Sequence, residues 1–163
     1  MARAGAWMRG NLTTQGYCLS DDERRRLAAG LRFSTGLCLS LVVVALALQS
    51  AVMVFALSSI GLVASFAARH PFDHIWNHAV RHLVGGPVLP PSPRRRRDAF
   101  KVATVWLAVL GTLLAAGATT VALVLGGLLV AACATVTATN LCLPSETFAW
   151  LERRRAPTKP IIT

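Results

Sequence analysis

The chain has 163 residues, of which 54% are hydrophobic and 15% are charged, and its mean hydropathy is +0.53. Soluble domains are about half apolar and about a quarter charged, so this composition excludes an ordinary soluble domain and indicates an integral membrane protein. The 17 Lys and Arg against 7 Asp and Glu give a net charge of +10, which in a membrane protein indicates contact with anionic lipid.

Two long segments without charged residues define the membrane part, and the first lies between Arg32 and Arg69. It holds 36 residues. A single helix of that length would be about 54 Å long, whereas the hydrocarbon core of a bilayer is about 30 Å thick. The segment must therefore turn back on itself. The polar pair at 49–50 is the predicted turn, with spans over 27–48 and 52–68.

The second uncharged segment lies between Lys101 and Glu146 and holds 44 residues. Its length of about 66 Å again requires a hairpin. Residues 117–120 are the predicted turn, and the glycine pair at 126–127 is the alternative. The resulting spans cover residues 99–117 and 121–142.

All charged residues fall in three segments. The first extends to Arg32, the second runs from Arg69 to Lys101, and the third starts at Glu146. These segments carry six, seven and four basic residues, whereas the hairpin tips carry none. The positive-inside rule places all three in the cytoplasm. We therefore predict four spans with both termini cytoplasmic.

The predicted fold is an all-α integral membrane four-helix bundle made of two transmembrane hairpins, with a short amphipathic interfacial helix in the central cytoplasmic loop. It divides into a basic N-terminal arm over 1–20, a membrane domain over 21–152 and a basic tail over 153–163. No ionisable residue lies deep within a predicted span. Proton relays and coupled transporters generally need such a group, so transport is not expected.

Two helix starts are marked by capping residues. Ser20 and Glu23 have capping-box spacing, which predicts that a helix begins near Asp21 and continues into the first span. Ser92 is the predicted N-cap of the third span, with Pro93 at its first helical position.

The central loop contains the predicted interfacial helix, over residues 71–84. Pro71 suits its first position and the Gly-Gly-Pro sequence at 85–87 suits its end. Its apolar stripe, expected to face lipid or the bundle, comprises Phe72, Ile75, Trp76, Ala79, Val80 and Leu83. The opposite, polar face comprises Asp73, His74, Asn77, His78 and Arg81.

All four histidines lie four residues apart in this loop, at 70, 74, 78 and 82. Two imidazoles one helical turn apart can share a ligand, so His74, His78 and His82 are candidates for a metal, haem or pigment site. The alternative is a polar face that tunes membrane or protein contact, and it leads us to predict no cofactor.

Four consecutive arginines open the third span and oppose its helix dipole, so they require an anionic neighbour, either lipid headgroups or an acidic partner. The predicted lipid or partner contacts are Arg94, Arg95, Arg96, Arg97, Trp76, Trp150, Arg153, Arg154 and Arg155. No soluble recognition fold accompanies these arginines, so nucleic acid is not an expected partner.

Four cysteines complete the set of candidate residues. Cys38 and Cys133 lie within spans, where a thiol packs as a small apolar group. Cys18 and Cys142 face the reducing cytoplasm, so no structural disulfide is expected. Cys142-Leu-Pro-Ser145 has half of a Cys-x-x-Cys redox motif, which makes Cys142 a candidate redox thiol.

The ordered motifs His70-Pro-Phe-Asp73, Pro90-Pro-Ser-Pro-Arg94 and Cys142-x-Pro-Ser145 resemble a family of small bacterial membrane proteins catalogued as a domain of unknown function. The resemblance covers residues 21–152, and several relatives carry a second cysteine at the position of Ser145. It implies a four-span fold and a bacterial origin, and it supplies no activity or catalytic residues. We expect the protein in the bacterial inner membrane.

Two functions follow as hypotheses. The first is a non-catalytic accessory or scaffold subunit of a larger membrane complex, docking through its basic cytoplasmic face to lipid headgroups or to other membrane subunits. The second is a metal-, haem- or pigment-binding or thiol-redox membrane protein that uses the loop histidines or Cys142. The sequence contains no nucleophile paired with a base and no carboxylate pair, so we favour the first and do not expect an enzyme.

Overall fold

The computed structural model describes residues 10–155, and every regular element in that range is helical. Its six long elements are α1 (Asp21–Ala47), α2 (Ala51–Phe66), α3 (Pro71–Val84), α4 (Arg94–Ala115), α5 (Thr119–Thr139) and α6 (Leu143–Arg155). Residues 10–14 are also helical, and no strand occurs in this part of the chain. The predicted all-α class is therefore confirmed. Residues 1–9 of the predicted arm and 156–163 of the predicted tail lie outside the described range.

Three helices, α1, α4 and α5, are each long and apolar enough to cross a membrane. α2 has 16 residues, which corresponds to about 24 Å and is shorter than the hydrocarbon core of about 30 Å. It meets the criterion for a span only together with α3, which continues at an angle of 82°. The structure thus contains three helices that could span a membrane, or four if the bent pair forms one span.

α2 ends at Phe66, two residues before the predicted end of the second span. The backbone leaves the helical conformation at Ala67, which has a ψ of 150°, and His70 is also extended, with a ψ of 141°. Pro71 accounts for the conformation of His70, because a proline disfavours the helical conformation of the residue before it.

The turns that follow α1 and α4 are Schellman motifs, in which two backbone bonds close the helix end. After α1, the Ser50 N–H donates to the Ala45 carbonyl at 3.0 Å. The Gln49 N–H donates to the Leu46 carbonyl, also at 3.0 Å, and Gln49 has a φ of 49°. After α4, Gly117 takes the same left-handed position with a φ of 75°. The chain turns at both sites expected from the sequence.

The helices pack most closely in two pairs, α2 with α4 and α1 with α5. Two glycines allow close approach. A Cβ on Gly111 would lie 2.9 Å from the Phe55 ring, and one on Gly126 would lie 2.7 Å from Leu46. The buried core between the helices comprises Val42, Ala45, Leu46, Val54, Leu57, Leu107, Leu110 and Leu129.

The two predicted helix starts have different outcomes. The Ser20 hydroxyl accepts from the Glu23 N–H at 3.3 Å and the Glu23 carboxylate accepts from the Ser20 N–H at 2.8 Å, which confirms the capping box. The second prediction is wrong by one residue, because Pro93 is the N-cap of α4. The Ser92 N–H instead donates to the Ala68 carbonyl at 2.7 Å, which holds Ser92 in the loop.

Candidate functional site

α3 buries part of its predicted apolar stripe, Phe72 and Trp76, together with the polar residues of the adjacent positions. Asp73 and Asn77 are buried, whereas Ile75 is exposed and Leu83 is 86% exposed. The segment Trp76–Val80 is a π-helical turn, which rotates the later side chains relative to a regular α-helix. The apolar stripe is therefore divided between the interior and the exposed surface, and the sequence pattern did not indicate that Asp73 and Asn77 are buried beside it. Polar side chains that find hydrogen-bond partners can occupy the interior at little cost.

Asp73 is the centre of a buried hydrogen-bonded group that links α1 to α3. The Ser34 hydroxyl donates to Asp73 Oδ1 at 2.5 Å, and the His70 N–H donates to Asp73 Oδ2 at 3.1 Å. His70 Nδ1 accepts from the Phe72 N–H at 3.1 Å. His70 and Asp73 thus cap the start of α3 reciprocally, in a capping box with histidine as the N-cap.

His70 is a structural histidine that is neutral at pH 7. Burial lowers the pKa of His70 to about 4, an effect that nearby Asp73 opposes and nearby Arg96 reinforces. Because Nδ1 accepts a hydrogen bond, the proton of the neutral ring is on Nε2. The ring centroid lies 5.0 Å from those of Phe72 and Phe100.

Arg96 is 5% exposed, so its prediction as a lipid or partner contact is wrong. Its Nη1 donates to the Tyr17 hydroxyl, and its Cζ lies 5.6 Å from the ring centroids of both Tyr17 and Phe100. It also interacts electrostatically with Asp73 and Cys142. A buried guanidinium is tolerated only with such partners, and its hydrogen-bond partner Tyr17 comes from a segment that is distant in sequence.

The other three arginines at the start of α4 lie nearer the surface. Arg94 is exposed and Arg97 is half-buried. Arg95 Nη2 donates to Glu152 at 2.5 Å, which ties α4 to α6. Of the four predicted contacts in this run, Arg94 therefore presents the most accessible charge.

Two side chains of the π-helical turn fix the loop that follows α3. Trp76 Nε1 donates to the Pro87 carbonyl at 3.0 Å, and Asn77 Oδ1 accepts from the Leu89 N–H at 2.8 Å. A Cβ on Gly30 of α1 would lie 2.7 Å from the Trp76 ring. Trp76 is 4% exposed, so its prediction as a lipid or partner contact is wrong.

α6 carries the remaining predicted contacts. Trp150 is exposed, and Arg154 Cζ lies 3.9 Å above its ring. Together they form an aromatic and cationic surface at the end of the chain that the structure describes. Two further predicted contacts, Arg153 and Arg155, have side chains that the structure does not describe.

Residues 10–17 pack against the junction between α5 and α6. Asn11 Nδ2 donates to the Thr139 carbonyl at 2.9 Å, and Gln15 Nε2 donates to the Asn140 carbonyl at 2.6 Å. These bonds satisfy carbonyl groups at the end of α5, where the helix itself offers no donor. The sequence contains a signal for this contact, since Asn11 and Gln15 are four residues apart and share a helical face. The prediction of a basic arm overlooks it.

The histidine candidates remain on the surface of α3. His74, His78 and His82 are all exposed. The rings of His74 and His78 are parallel within 3°, with centroids 6.0 Å apart. Among the described residues no group of three or more His, Cys, Asp or Glu could hold a metal ion. The histidines therefore offer two stacked imidazoles without a third protein ligand.

The cysteines are all free thiols and differ in accessibility. Cys18 is exposed in the loop before α1, and Cys38 and Cys133 are half-buried in α1 and α5. Cys142 is half-buried directly before α6.

A family model described as a domain of unknown function, DUF4395, matches residues 28–153. This range includes the Ser34–Asp73 hydrogen bond, Arg96 and Cys142, and it begins after Tyr17. No curated protein and no solved structure matches the chain. The match confirms the resemblance that the sequence motifs indicate. By this match over most of its length, the chain belongs to the DUF4395 family, a domain of unknown function.

Proposed function

We propose that this chain is a non-catalytic accessory or scaffold subunit of a larger bacterial membrane complex. In this proposal α1, α2, α4 and α5 form two transmembrane hairpins in the inner membrane, and both termini are cytoplasmic. The positive-inside rule supports this orientation, because the turns after α1 and α4 contain no charged residue. The charged end then docks to lipid headgroups and to other membrane subunits.

The observation that carries the proposal is a polar layer at the charged end, built from residues 10–20, residues 67–97 and α6. The Ser34–Asp73 bond joins it to α1, and the Arg96–Tyr17 bond joins α4 to the N-terminal segment. A surface held rigid in this way loses little conformational entropy when a partner binds. This favours a docking role.

α6 supports contact of the layer with lipid. It begins at Leu143, four residues after α5 ends, so it lies at the membrane surface if α5 is a span. Leu143, Trp150 and Leu151 are exposed on it, together with Arg154. Exposed tryptophan and leucine beside an arginine are typical of a helix in the interface between lipid tails and headgroups.

Recovery of the intact assembly tests the subunit proposal. Membranes of the native bacterium are cross-linked, solubilised in mild detergent and analysed by affinity purification and mass spectrometry. We expect a stoichiometric membrane partner with cross-links to the polar layer. Arg94→Glu should reduce its recovery severalfold, whereas Thr120→Glu, an exposed change at the uncharged end, should not. Recovery of an uncomplexed monomer, or equal loss in both variants, contradicts the proposal.

Lipid retention tests the second half of the proposal. The purified chain is reconstituted in nanodiscs that contain phosphatidylglycerol and phosphatidylcholine, and bound lipids are counted by native mass spectrometry. Trp150→Ala and Arg154→Gln should each lower the retention of phosphatidylglycerol. Arg25→Gln removes an exposed arginine that already pairs with Asp22 at 2.7 Å, so it is the matched control. Equal retention in all variants contradicts lipid docking through α6.

A further inference from the structure

α4 and α5 line a groove on the outside of the helix group. Its volume is about 530 Å³, and five of its lining residues come from α4 and one from α5. The three valines among them are exposed, so the groove is open along one side. Sites for small molecules have volumes of about 300–1,000 Å³, so this groove is large enough for a ligand. The lining residues are Lys101, Val102, Val105, Trp106, Val109 and Leu125.

Trp106 and Leu125 connect the two walls of the groove. Trp106 Nε1 donates to the Leu125 carbonyl at 3.3 Å, so the polar atom of the indole has its partner within the protein. The rest of the indole ring is apolar. Every lining residue other than Lys101 is apolar as well. A ligand that fills the groove must therefore be a hydrocarbon over most of its length.

The groove has nearly the length of one leaflet of a bilayer. Lys101 and Val109 are eight residues apart on α4, which corresponds to about 12 Å along the helix axis. Half of a hydrocarbon core of about 30 Å is about 15 Å. Lys101 lies toward the charged end of α4, where a lysine stem follows apolar surface and its ammonium reaches the headgroups. The groove thus has the length and polarity of one acyl chain.

An ion pair at the Lys101 end of the groove gives that end a defined charge pattern. Lys101 Nζ donates to Asp98 Oδ1 at 2.6 Å, and it lies 5.7 Å from the centroid of the Phe66 ring at the end of α2. Both charged side chains are partly exposed, at 49% and 29%. An ammonium has three N–H donors and a carboxylate accepts several bonds, so each retains capacity for a ligand. The pair is complementary to a headgroup that carries a phosphate and an ammonium.

The kind of residue in the groove favours a lipid chain over a transmembrane helix. Helix contacts within membranes are enriched in Gly, Ala, Ser and Thr, because small side chains let two backbones approach closely. The lining residues here are Lys, Val, Trp and Leu instead. A flexible acyl chain packs between such side chains without any close approach of backbones.

From the groove and the ion pair we propose that α4 and α5 bind one molecule of phosphatidylethanolamine. One acyl chain lies in the groove, the phosphate accepts from Lys101, and the headgroup ammonium donates to Asp98. The site rests on the transmembrane placement of α4 and α5 in the proposed function, but it does not involve α6. It selects by headgroup, because phosphatidylglycerol has no ammonium and the ammonium of phosphatidylcholine has no N–H.

Quenching of Trp106 fluorescence by brominated lipids tests the site. The full chain is reconstituted in phosphatidylcholine nanodiscs with a small, equal mole fraction of brominated phosphatidylethanolamine, phosphatidylglycerol or phosphatidylcholine. Subtraction of the signal of Trp106→Phe isolates Trp106. We expect phosphatidylethanolamine to quench severalfold more than the other two lipids. Equal quenching by all three, or stronger quenching by phosphatidylglycerol, overturns the lipid site and leaves α4 in the membrane. Absence of quenching by every lipid contradicts the transmembrane placement as well.

Two pairs of variants test the groove and the ion pair separately, each with its unfolding transition as a check on folding. Val105→Phe fills the groove at a position that is 64% exposed and should abolish the preference for phosphatidylethanolamine. Val52→Phe is the matched control on α2, at 79% exposed, and should retain it. Asp98→Asn should also remove the preference, whereas Arg25→Gln should not.

Three results from these variants would overturn the proposal. The first is an equal effect of Val105→Phe and Val52→Phe on quenching. The second is a preference for phosphatidylethanolamine that persists in Asp98→Asn. The third is a dimer in native mass spectrometry that Val105→Phe abolishes, since a second copy of the chain would then occupy the groove.

Discussion

Ser34 on α1 donates a 2.5 Å hydrogen bond to the carboxylate of Asp73 on α3, and both side chains are buried. α1 is long and apolar enough to cross a membrane, whereas α3 follows α2 at an angle of 82°. This bond therefore fixes the position of the polar layer relative to the apolar helices. Asp73 also accepts from the His70 N–H, so the same carboxylate defines where α3 begins.

Removing the Ser34 hydroxyl should weaken this attachment. Ser34→Ala is expected to lower the free energy of unfolding by about 1–2 kcal/mol, because a buried carboxylate loses one of its donors. The control is Ser40→Ala, since the exposed Ser40 hydroxyl only donates to the Gly36 carbonyl of its own helix. Unfolding in mixed micelles titrated with SDS measures both variants. Equal losses of unfolding free energy in the two variants would show that the bond to Asp73 contributes no more to stability than the bond of Ser40 within its own helix.

Arg96 and Tyr17 should stabilise the fold as a unit. In a double-mutant cycle with Arg96→Met and Tyr17→Phe, we expect a coupling energy of about 1–3 kcal/mol, the range typical of residues in one hydrogen-bonded network. Arg94→Met removes an exposed neighbour and should change stability by no more than about 0.5 kcal/mol. The SDS titration used for Ser34 serves here too. Strictly additive effects would contradict the coupling.

Stability should fall when the pH is lowered from 6.5 to 4. The pKa of His70 is about 4 in the folded protein against an ordinary value of 6.5, so the unfolded chain binds an extra proton in this window. The contribution of His70 to the free energy of unfolding is fully present above pH 6.5. At pH 4 the free energy of unfolding is lower by about 3 kcal/mol from this group alone.

Variants of two histidines isolate this contribution from that of the carboxylates. His70→Asn retains a capping side chain but does not titrate, so its stability should depend less on pH across the window. His82→Asn alters an exposed histidine and should keep the full dependence. Unfolding is measured at half-unit steps of pH. An unchanged slope in His70→Asn would contradict the assignment.

The two Schellman turns should respond oppositely to substitution. Gln49→Gly is expected to raise stability by about 0.5–1 kcal/mol, because glycine adopts a positive φ without steric cost. Gly117→Ala should lower stability by about 1 kcal/mol for the same reason, since the observed φ is 75°. Thermal unfolding in detergent compares the variants with the parent chain. A loss of stability in Gln49→Gly, or a gain in Gly117→Ala, would refute the role of these left-handed positions.

The sequence was sufficient for features that depend on local composition. Uncharged stretches define the long apolar helices, and the turns at Gln49 and Gly117 follow from length and polar or glycine residues. The capping box at Ser20 depends on residues three apart, so it too could be predicted from the sequence. Predictions failed where a side chain depends on a distant partner: on α3 the polar Asp73 and Asn77 are buried beside Trp76, which was predicted to contact lipid or a partner.

The sequence by itself determined a helical chain with apolar segments long enough to cross a membrane and with its charges in three segments, because hydropathy and charge depend on residues that are neighbours in the chain. Only the tertiary structure decided which arginine of the run at 94–97 is buried, since Arg96 acquires its partner Tyr17 from 79 residues away. Such choices depend on the partners that desolvated groups find after packing, and those partners are not neighbours in the chain.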